Sequence, residues 1–329
     1  MGLGKVLVFG SSCQVVAYLL QAFALPFPVF IISFAIGSCG MALQDAQGNG
    51  YVAALKDHTK MGVLHAVYGL GAMVAPLIST QFAQLYHWSF YYFTSFGISI
   101  INTIFLFLVF RLEPQDVCLA KCGYATVEKG ENETGTTNGI KEIMKTKAVH
   151  LVAVFILVYV GVEVTLGGWT VTYVIQVRGG GPSSGYVSTG FFGGLTLGRV
   201  ALLFVTKKLG EHRALLLYAV LAIGLEFVVW FAPSLVGDAI ALSFTGFFLG
   251  PMYPIAMNQC GRILPPWILT TSIGWIGAVG NTGSAIIPFM TGAISQRWGI
   301  WSLQPLIVIM MGIMTILWLL VPKKGSTAA

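Results

Sequence analysis

The chain is a succession of ten apolar runs, each close to the length that an α-helix needs to cross a bilayer. A membrane helix needs about 20 apolar residues, because the hydrocarbon core is about 30 Å thick. The approximate limits of the runs are 5–24, 28–52, 62–85, 89–110, 148–173, 185–206, 214–232, 237–262, 268–294 and 301–321. Only helices and closed barrels satisfy their backbone in lipid, and runs of this length favour helices. The predicted fold class is all-α: a polytopic membrane protein with about ten transmembrane helices.

The composition and the placement of charge support this class. Charged residues make up 9% of the chain, whereas soluble domains carry about 25%. When the runs alternate in direction, 16 of the 18 Lys and Arg residues fall on one side of the membrane, and only Arg178 and Arg297 fall on the other. Because cytoplasmic loops are enriched in Lys and Arg, we expect both termini to be cytoplasmic. The net charge of +6 is then explained by the basic residues of the cytoplasmic loops, and no nucleic-acid partner is expected.

One long polar stretch divides the chain. Residues 111–147 include a segment rich in Gly, Thr and Glu, which is typical of a linker. We predict an N-terminal half of four helices at 1–110, a cytoplasmic linker at 111–147 and a C-terminal half of six helices at 148–329. Gly40 matches Gly250, and Pro76 matches Pro288, at nearly the same separation, which indicates a duplicated unit. A duplicated six-helix unit leads us to expect two further helices before Met1.

The second run contains polar residues at the depth where a membrane helix should be apolar. Asp45 and Asn49 are one helical turn apart and share a face, and Gln44 precedes them. A carboxylate at the centre of a membrane helix costs at least about 2.5–3.5 kcal/mol, so intramembrane acids generally mark functional sites. We predict that Asp45 is a proton-coupling residue, and that Gln44 and Asn49 bind substrate. The alternative is a structural Asp that is hydrogen-bonded to a neighbouring helix.

Glu163 is a second intramembrane acid. Tyr159 lies one turn before it on the same face, and Trp169 offers an aromatic surface with one donor, which suits a flat ligand such as a sugar ring. We predict proton coupling for Glu163 and substrate binding for Tyr159 and Trp169, with helix packing as the alternative for Trp169. The pair Gly167-Gly168 is expected to break the helix. A third acid, Glu226, lacks polar neighbours in the sequence and is not expected to act.

Further candidates lie in the last five runs. Pro251 and Pro254 remove backbone hydrogen bonds and are expected to kink the eighth run. The predicted substrate-binding residues near these prolines and in the ninth run are Tyr253, Asn258, Gln259, Trp275 and Asn281. Asn and Gln also hold membrane helices together, so helix packing is the alternative for them. A basic group at the end of the sixth run is assigned to gating: Arg199, Lys207 and Lys208.

No enzyme signature is present in the sequence. The phosphate-binding loop, the zinc-protease helix motif and the hydrolase nucleophile elbow are all missing, so no catalytic residue and no cofactor are predicted. The five cysteines show no metal-ligand spacing, and no metal site is predicted. Cys118 and Cys122 are expected to be a solvated pair of free thiols.

Three stretches resemble the major facilitator superfamily, in its fucose-permease-like branch. Gly2-Leu-Gly4-Lys5 resembles the end of the loop motif between helices two and three, and the segment from Gly194 to Gly210 resembles its degenerate copy between helices eight and nine. The segment from Asp45 to Val52 resembles a stretch of helix four, in which a proton-linked Glu would correspond to Asp45. The pattern from Glu163 to Trp169 is also typical of the branch. The chain as a whole is similar to fungal proteins related to bypass-of-stop-codon protein.

The resemblance implies helices three to twelve of a twelve-helix plan, so that helices one and two are not in this chain. The chain also departs from the pattern of the branch, because Gly50 stands where the branch has Pro and Asp45 stands where the branch has the longer Glu. We expect a secondary transporter that moves a small polar solute, such as a sugar, by alternating access with protons, in the plasma membrane. Its partners would be the solute, protons and lipid, and no oligomer is required. The alternative is a truncated membrane protein that does not transport.

Overall fold

The computed structural model describes residues 2–55, 58–123 and 142–323, and within these residues the protein is α-helical without a β-strand. Each of the ten predicted apolar runs forms a helix or a broken pair of helices, so the all-α prediction is confirmed. The helices are α1 Leu3–Ala22, α2 Phe27–Ala54, α3 His58–Phe82, α4 Tyr91–Phe110, α5 Gln115–Lys121, α6 Lys147–Arg178, α7 Tyr186–Ala201, α8 Leu203–Leu209, α9 Glu211–Phe231, α10 Leu235–Leu249, α11 Met252–Ile263, α12 Pro266–Trp298 and α13 Leu303–Leu320.

Most of these helices have the length and composition of membrane spans. Seven stretches among the described residues are long and apolar enough to cross a bilayer, and an eighth is the pair α7 and α8, which bends by 52°. The chain divides into two compact units. The first comprises Met1–Tyr68 and Gln81–Glu131, and the second comprises Gly69–Thr80 and Asn132–Ala329. Residues 124–141 of the predicted linker lie outside the described part of the chain.

In the first unit, glycines let α1 and α2 pack backbone to backbone. A Cβ at Gly10 would overlap the carbonyl of Gly40, and a Cβ at Gly40 would overlap the carbonyl of Gly10. Small residues at such contacts let membrane helices gain van der Waals energy without a hydrophobic driving force. On its other side, α1 is held to α4 by a hydrogen bond of 2.7 Å between the hydroxyls of Ser11 and Thr103.

The first turn of α1 packs on the segment that follows α4. The Gly4 amide donates to the Glu113 carbonyl at 2.9 Å, and a Cβ at Gly4 would lie 2.9 Å from the Cα of Leu112. Cys118 of α5 is buried against Leu3, whereas Cys122 is exposed. The prediction of a solvated pair is therefore correct for Cys122 and wrong for Cys118, because α5 folds back over the start of α1.

In the second unit, α7 and α10 make the same kind of close contact. A Cβ at Gly194 would overlap the carbonyl of Ser243, and a Cβ at Gly198 would overlap the carbonyl of Phe247. Pro251 has no amide hydrogen, so it leaves the Phe247 carbonyl without its helical partner. The glycine at 198 therefore places the α7 backbone directly on a carbonyl that the α10 helix leaves free. This contact fixes α7 beside the break between α10 and α11.

Candidate functional site

The candidate site in the second unit is built around the break between α10 and α11. Pro254 has no amide hydrogen, so the carbonyl of Gly250, four residues earlier, has no donor within the helix. Arg199 of α7 fills this position, because its Nε donates to the Gly250 carbonyl at 3.4 Å. Tyr159 of α6 reaches the preceding carbonyl, and its hydroxyl donates to Leu249 at 3.2 Å. The helix is interrupted at residues 250 and 251, next to the predicted kink, and side chains from two other helices complete the hydrogen bonding there.

Glu163 lies beside these donors. Glu163 is half-buried, and its carboxylate lies near the Tyr159 hydroxyl and within electrostatic range of the Arg199 guanidinium. An acid and a base that face each other within a membrane protein lower the cost of burying either charge. Arg199 therefore bonds to one acceptor, the Gly250 carbonyl, and has a second potential acceptor nearby, the Glu163 carboxylate. A change in the charge of Glu163 would alter the balance between these two acceptors.

Aromatic rings form one side of this site. The ring centroids of Tyr159 and Tyr253 are 6.2 Å apart, with an interplanar angle of 46°. Tyr159 is buried, whereas Tyr253 is half-buried. The structure thus brings together four of the residues singled out in the sequence: Tyr159, Glu163, Arg199 and Tyr253. They supply a carboxylate, a guanidinium and two phenols, which together can donate to and accept from a polar solute.

Trp169 lies further along α6, against α12. Its Nε1 donates to the Pro288 carbonyl at 3.2 Å. Its ring packs against Gly292, where an added Cβ would be 3.1 Å from the ring. The expectation that Gly167-Gly168 breaks the helix is wrong, since α6 runs without interruption from Lys147 to Arg178. Gly167 is needed for a different reason, because a Cβ there would overlap the ring of Phe192.

The amides near the end of α11 contact other helix ends. Asn258 donates from Nδ2 to Glu211 Oε1 at 3.3 Å, near the start of α9. Gln259 is buried and donates from Nε2 to the Pro322 carbonyl at 2.6 Å, just after α13. Both side chains therefore hold helix ends together in this structure, away from the Gly250 carbonyl that Arg199 contacts. Substrate binding by Asn258 and Gln259 stays a prediction.

The α12 candidates do not join the group at the break. The Trp275 ring is edge-on to the ring of His150, with centroids 6.5 Å apart, and 37% of Trp275 is exposed. Asn281 is exposed on α12, where its carbonyl accepts a hydrogen bond from Ser284. Lys207 and Lys208 are exposed on the short helix α8, and Lys208 lies 4.3 Å above the ring of Phe204. The gating role of these two lysines stays a prediction.

In the first unit the polar residues of α2 have two different environments. Gln44 faces α1, where it accepts from Gln14 at 2.7 Å and donates to the Leu7 carbonyl at 3.3 Å. Asp45 is exposed, and its carboxylate has no hydrogen-bond partner among the described residues. Asn49 donates to the backbone carbonyl of Asp45 at 2.9 Å. Asp45 and Asn49 are thus accessible from one side of α2, whereas Gln44 stabilises the packing of two helices.

A shallow groove on α4 contributes nothing to either group. It has a volume of about 440 Å³, and its lining is apolar except for Asn102. None of the predicted site residues lines it. Its composition is that of a surface that faces lipid.

Comparison with known proteins identifies the family. A family model described as the Major Facilitator Superfamily matches residues 1–243. Bypass of stop codon protein 6 of Saccharomyces cerevisiae is 28% identical over 345 residues, covering 97% of this chain and 69% of the yeast protein. The glucose/mannose transporter of Bacillus subtilis is 24% identical over 300 residues, covering 87% and 69% of the two chains. The Escherichia coli fucose:proton symporter superposes with a TM-score of 0.68 at 14% identity, covering 97% of this chain and 84% of that one.

These comparisons agree with the helical architecture and with the apolar spans. The structural likeness, at low sequence identity, shows a shared fold, and the family model extends over most of the chain. The resemblance drawn from the loop motifs is therefore confirmed. The protein is a multi-pass integral membrane protein with a transporter fold, and it is not an enzyme. It belongs to the Major Facilitator Superfamily.

Proposed function

We propose that this protein is a secondary active transporter that moves a small polar solute, a sugar, across the membrane by alternating access and in symport with protons. The observation that carries the proposal is the group at the broken helix, where Arg199 bonds to the Gly250 carbonyl that Pro254 leaves free and Glu163 lies near Arg199. Discontinuous helices with accessible backbone groups are typical of substrate and ion sites in transporters. Two similar proteins named for glucose/mannose transport and for fucose:proton symport support the solute class.

The chemistry of the group fits a polyhydroxylated solute. A sugar hydroxyl both donates and accepts hydrogen bonds, and its ring faces are apolar. Glu163 supplies an acceptor and Arg199 supplies donors, while the rings of Tyr159 and Tyr253 offer phenol groups and aromatic faces. A solute that bonds to Arg199 would compete with the Gly250 carbonyl for the guanidinium. Binding would then be linked to the conformation of the break between α10 and α11.

Proton coupling is assigned to Asp45 and Glu163, one in each unit. A carboxylate can carry a proton across a membrane when it is accessible in one state and enclosed in the other. Asp45 is exposed in the present conformation, as the accessible state in such a scheme requires. Glu163 interacts with Arg199, so protonation of Glu163 would release the guanidinium for another acceptor. In this scheme Asp45 takes up the proton and the Glu163–Arg199 pair responds to solute.

The distribution of charge supports the proposed topology. Because 16 of the 18 basic residues fall on one side of the membrane, both termini and the 111–147 linker are assigned to the cytoplasmic side. The membrane is assigned as the plasma membrane. A single chain suffices for the mechanism, so no oligomer is invoked. Labelling intact cells with a membrane-impermeant maleimide tests the topology, because the exposed Cys122 should react only after permeabilisation. Reaction in intact cells would contradict the assignment.

The transport proposal is tested by counterflow in proteoliposomes. Vesicles preloaded with unlabelled glucose, mannose, fucose or xylose are diluted into the labelled sugar, so that exchange is measured without a proton gradient. At least one sugar should accumulate transiently in the wild type, and Arg199→Gln should abolish that exchange. Asp116→Asn is the matched control, because Asp116 is exposed on α5; it should leave exchange unchanged. Absence of counterflow for every sugar, in protein that remains folded, would contradict the solute class.

A further inference from the structure

A second charged cluster lies at the end of the second unit where α6 and α9 end and α10 begins. Arg178, the last residue of α6, donates from Nε to Asp238 Oδ2 at 2.8 Å. Its Nη2 also donates to the carbonyls of Val229 and Trp230 near the end of α9, the second at 3.4 Å. The side chains of Arg178 and Asp238 are 11% and 1% exposed. The guanidinium therefore joins three helix ends in a nearly anhydrous setting.

Glu226 lies beside this ion pair and is fully buried. Neither of its carboxylate oxygens has a hydrogen-bond partner among the described residues. Thr245 of α10 is also fully buried and its hydroxyl lies near the Glu226 carboxylate, but the two groups are not in hydrogen-bond geometry. Asp238 Oδ1, on the side away from Arg178, is the third unpartnered group. The pocket therefore holds four oxygen atoms, from three residues, that nothing in the described structure satisfies.

The charge balance of the cluster is incomplete if Glu226 is ionised. Arg178 already neutralises Asp238, so an ionised Glu226 would add one negative charge to the interior of a membrane protein. Neither of two helices that pack on α9 in the described part of the chain supplies a further cation: α10 carries no titratable residue except Asp238, and α13 carries none. On α6, the nearby Tyr173 is uncharged and directs its hydroxyl to the Val229 carbonyl at 3.5 Å. A buried unpaired charge is strongly unfavourable, so the pocket requires one additional positive charge.

We propose that Glu226 is a proton-binding site, and that the folded protein holds this proton between α9 and α10. The neutral carboxyl would donate its proton to Asp238 Oδ1, and the Thr245 hydroxyl would donate to the carbonyl oxygen of Glu226, so that each of the three groups gains a partner. A bound metal cation fits less well, because hard cations take six or more oxygen ligands and the pocket offers four. The site also lies next to the Arg178 guanidinium, which repels a cation. The inference is independent of the solute and of the roles proposed for Asp45 and Glu163.

Carbodiimide labelling tests the site without any variant. Dicyclohexylcarbodiimide reacts with protonated carboxyls in apolar surroundings and leaves exposed carboxylates largely unmodified. Purified protein in detergent, treated near neutral pH and analysed by peptide mass spectrometry, should carry the adduct on Glu226 in preference to the exposed Asp116. Sodium and potassium buffers should give equal labelling. An unlabelled Glu226, or protection by sodium alone, would overturn the proposal, and the second result would identify a sodium site.

The Glu226→Gln variant supplies an independent readout. Gln is neutral at every pH and similar in size, so it imitates the protonated acid. Because the folded wild type holds a proton that the unfolded chain releases at neutral pH, its unfolding temperature should fall as the pH rises from about 6 to about 9. The variant should lack this component of the pH dependence. It should match the wild type only near about pH 4, where the unfolded chain also keeps its proton, and should be the more stable protein above that pH. Equal pH profiles for both proteins would overturn the proposal.

Discussion

Arg199 is predicted to stabilise the second unit through two acceptors, and Arg199→Gln measures that contribution. The substitution removes the donor to the Gly250 carbonyl and the positive charge beside Glu163. An unsatisfied buried carbonyl costs about 1–3 kcal/mol, and the loss of a partly exposed charge pair costs up to about 1 kcal/mol. Because the bond to Gly250 is long, at 3.4 Å, and Glu163 is half-buried, we take about 1 kcal/mol for each contribution. The free energy of unfolding should fall by about 2 kcal/mol.

The assay is equilibrium unfolding of the purified protein in a fixed detergent, followed by tryptophan fluorescence. A double-mutant cycle with Glu163→Gln isolates the interaction of the pair. The double variant should lose about 1 kcal/mol less than the sum of the two single losses, because removing both charges leaves none unpaired. Arg262→Gln is the matched control: Arg262 pairs with Glu211 at 3.0 Å but is 58% exposed, so its loss should stay below about 1 kcal/mol. Additivity within about 0.5 kcal/mol for Glu163 and Arg199 would refute the coupling.

Two further predictions concern packing and reactivity. Gly194→Val should prevent folding or cost more than about 3 kcal/mol, because the new Cβ would overlap the Ser243 carbonyl. Gly224→Val is the control, since the added Cβ meets open space there, and it should change the yield of detergent-solubilised protein little. Equal yields for the two variants would contradict the close packing. Burial, together with the negative charge of Glu113, raises the pKa of the Cys118 thiol. Less thiolate is therefore present at neutral pH, and maleimide should modify Cys122 before Cys118. Equal rates for the two cysteines would contradict the burial of Cys118.

The positions of the helices could be predicted because membrane insertion depends on long apolar runs, which are local in sequence. The helix break at residues 250 and 251 could be predicted for the same reason, since proline removes a hydrogen bond whatever surrounds it. The resemblance to the family motifs could also be recognised in the sequence. For one motif, the one that contains Gly4, the structure gives a physical reason. Gly4 is the residue that lets the start of α1 approach the backbone of Leu112.

The partners of polar side chains could not be predicted in this way. An amide in an apolar run can face a cavity or hold two helices together, and only the tertiary structure decides between these outcomes. Gln44 and Gln259 both contact neighbouring backbone carbonyls, an outcome that the sequence offered for Gln259 only as the alternative to substrate binding. Arg199 was assigned to gating from its place near the end of a run, yet its side chain bonds to a carbonyl that only Pro254 leaves free. That proline, four residues after Gly250, is the local signal that could have indicated the contact.

Glu226 illustrates the same limit. It appears isolated in the sequence because its neighbours Asp238 and Thr245 lie on the following helix and Arg178 lies on α6. Four residues from three helices form one cluster, and no local pattern connects them. The acid that looked least functional in the sequence is therefore the one whose surroundings most clearly require a proton.

The central claim is proton-coupled transport of a sugar, and the most direct test is to measure proton movement caused by the sugar itself. Proteoliposomes that enclose a pH-sensitive dye are exposed to the sugar that shows counterflow, with no imposed gradient. The account predicts that the lumen acidifies when this sugar is added, that an untransported sugar has no effect, and that Asp45→Asn abolishes the acidification while counterflow persists. Sugar uptake without any change of luminal pH in the wild type would contradict proton symport.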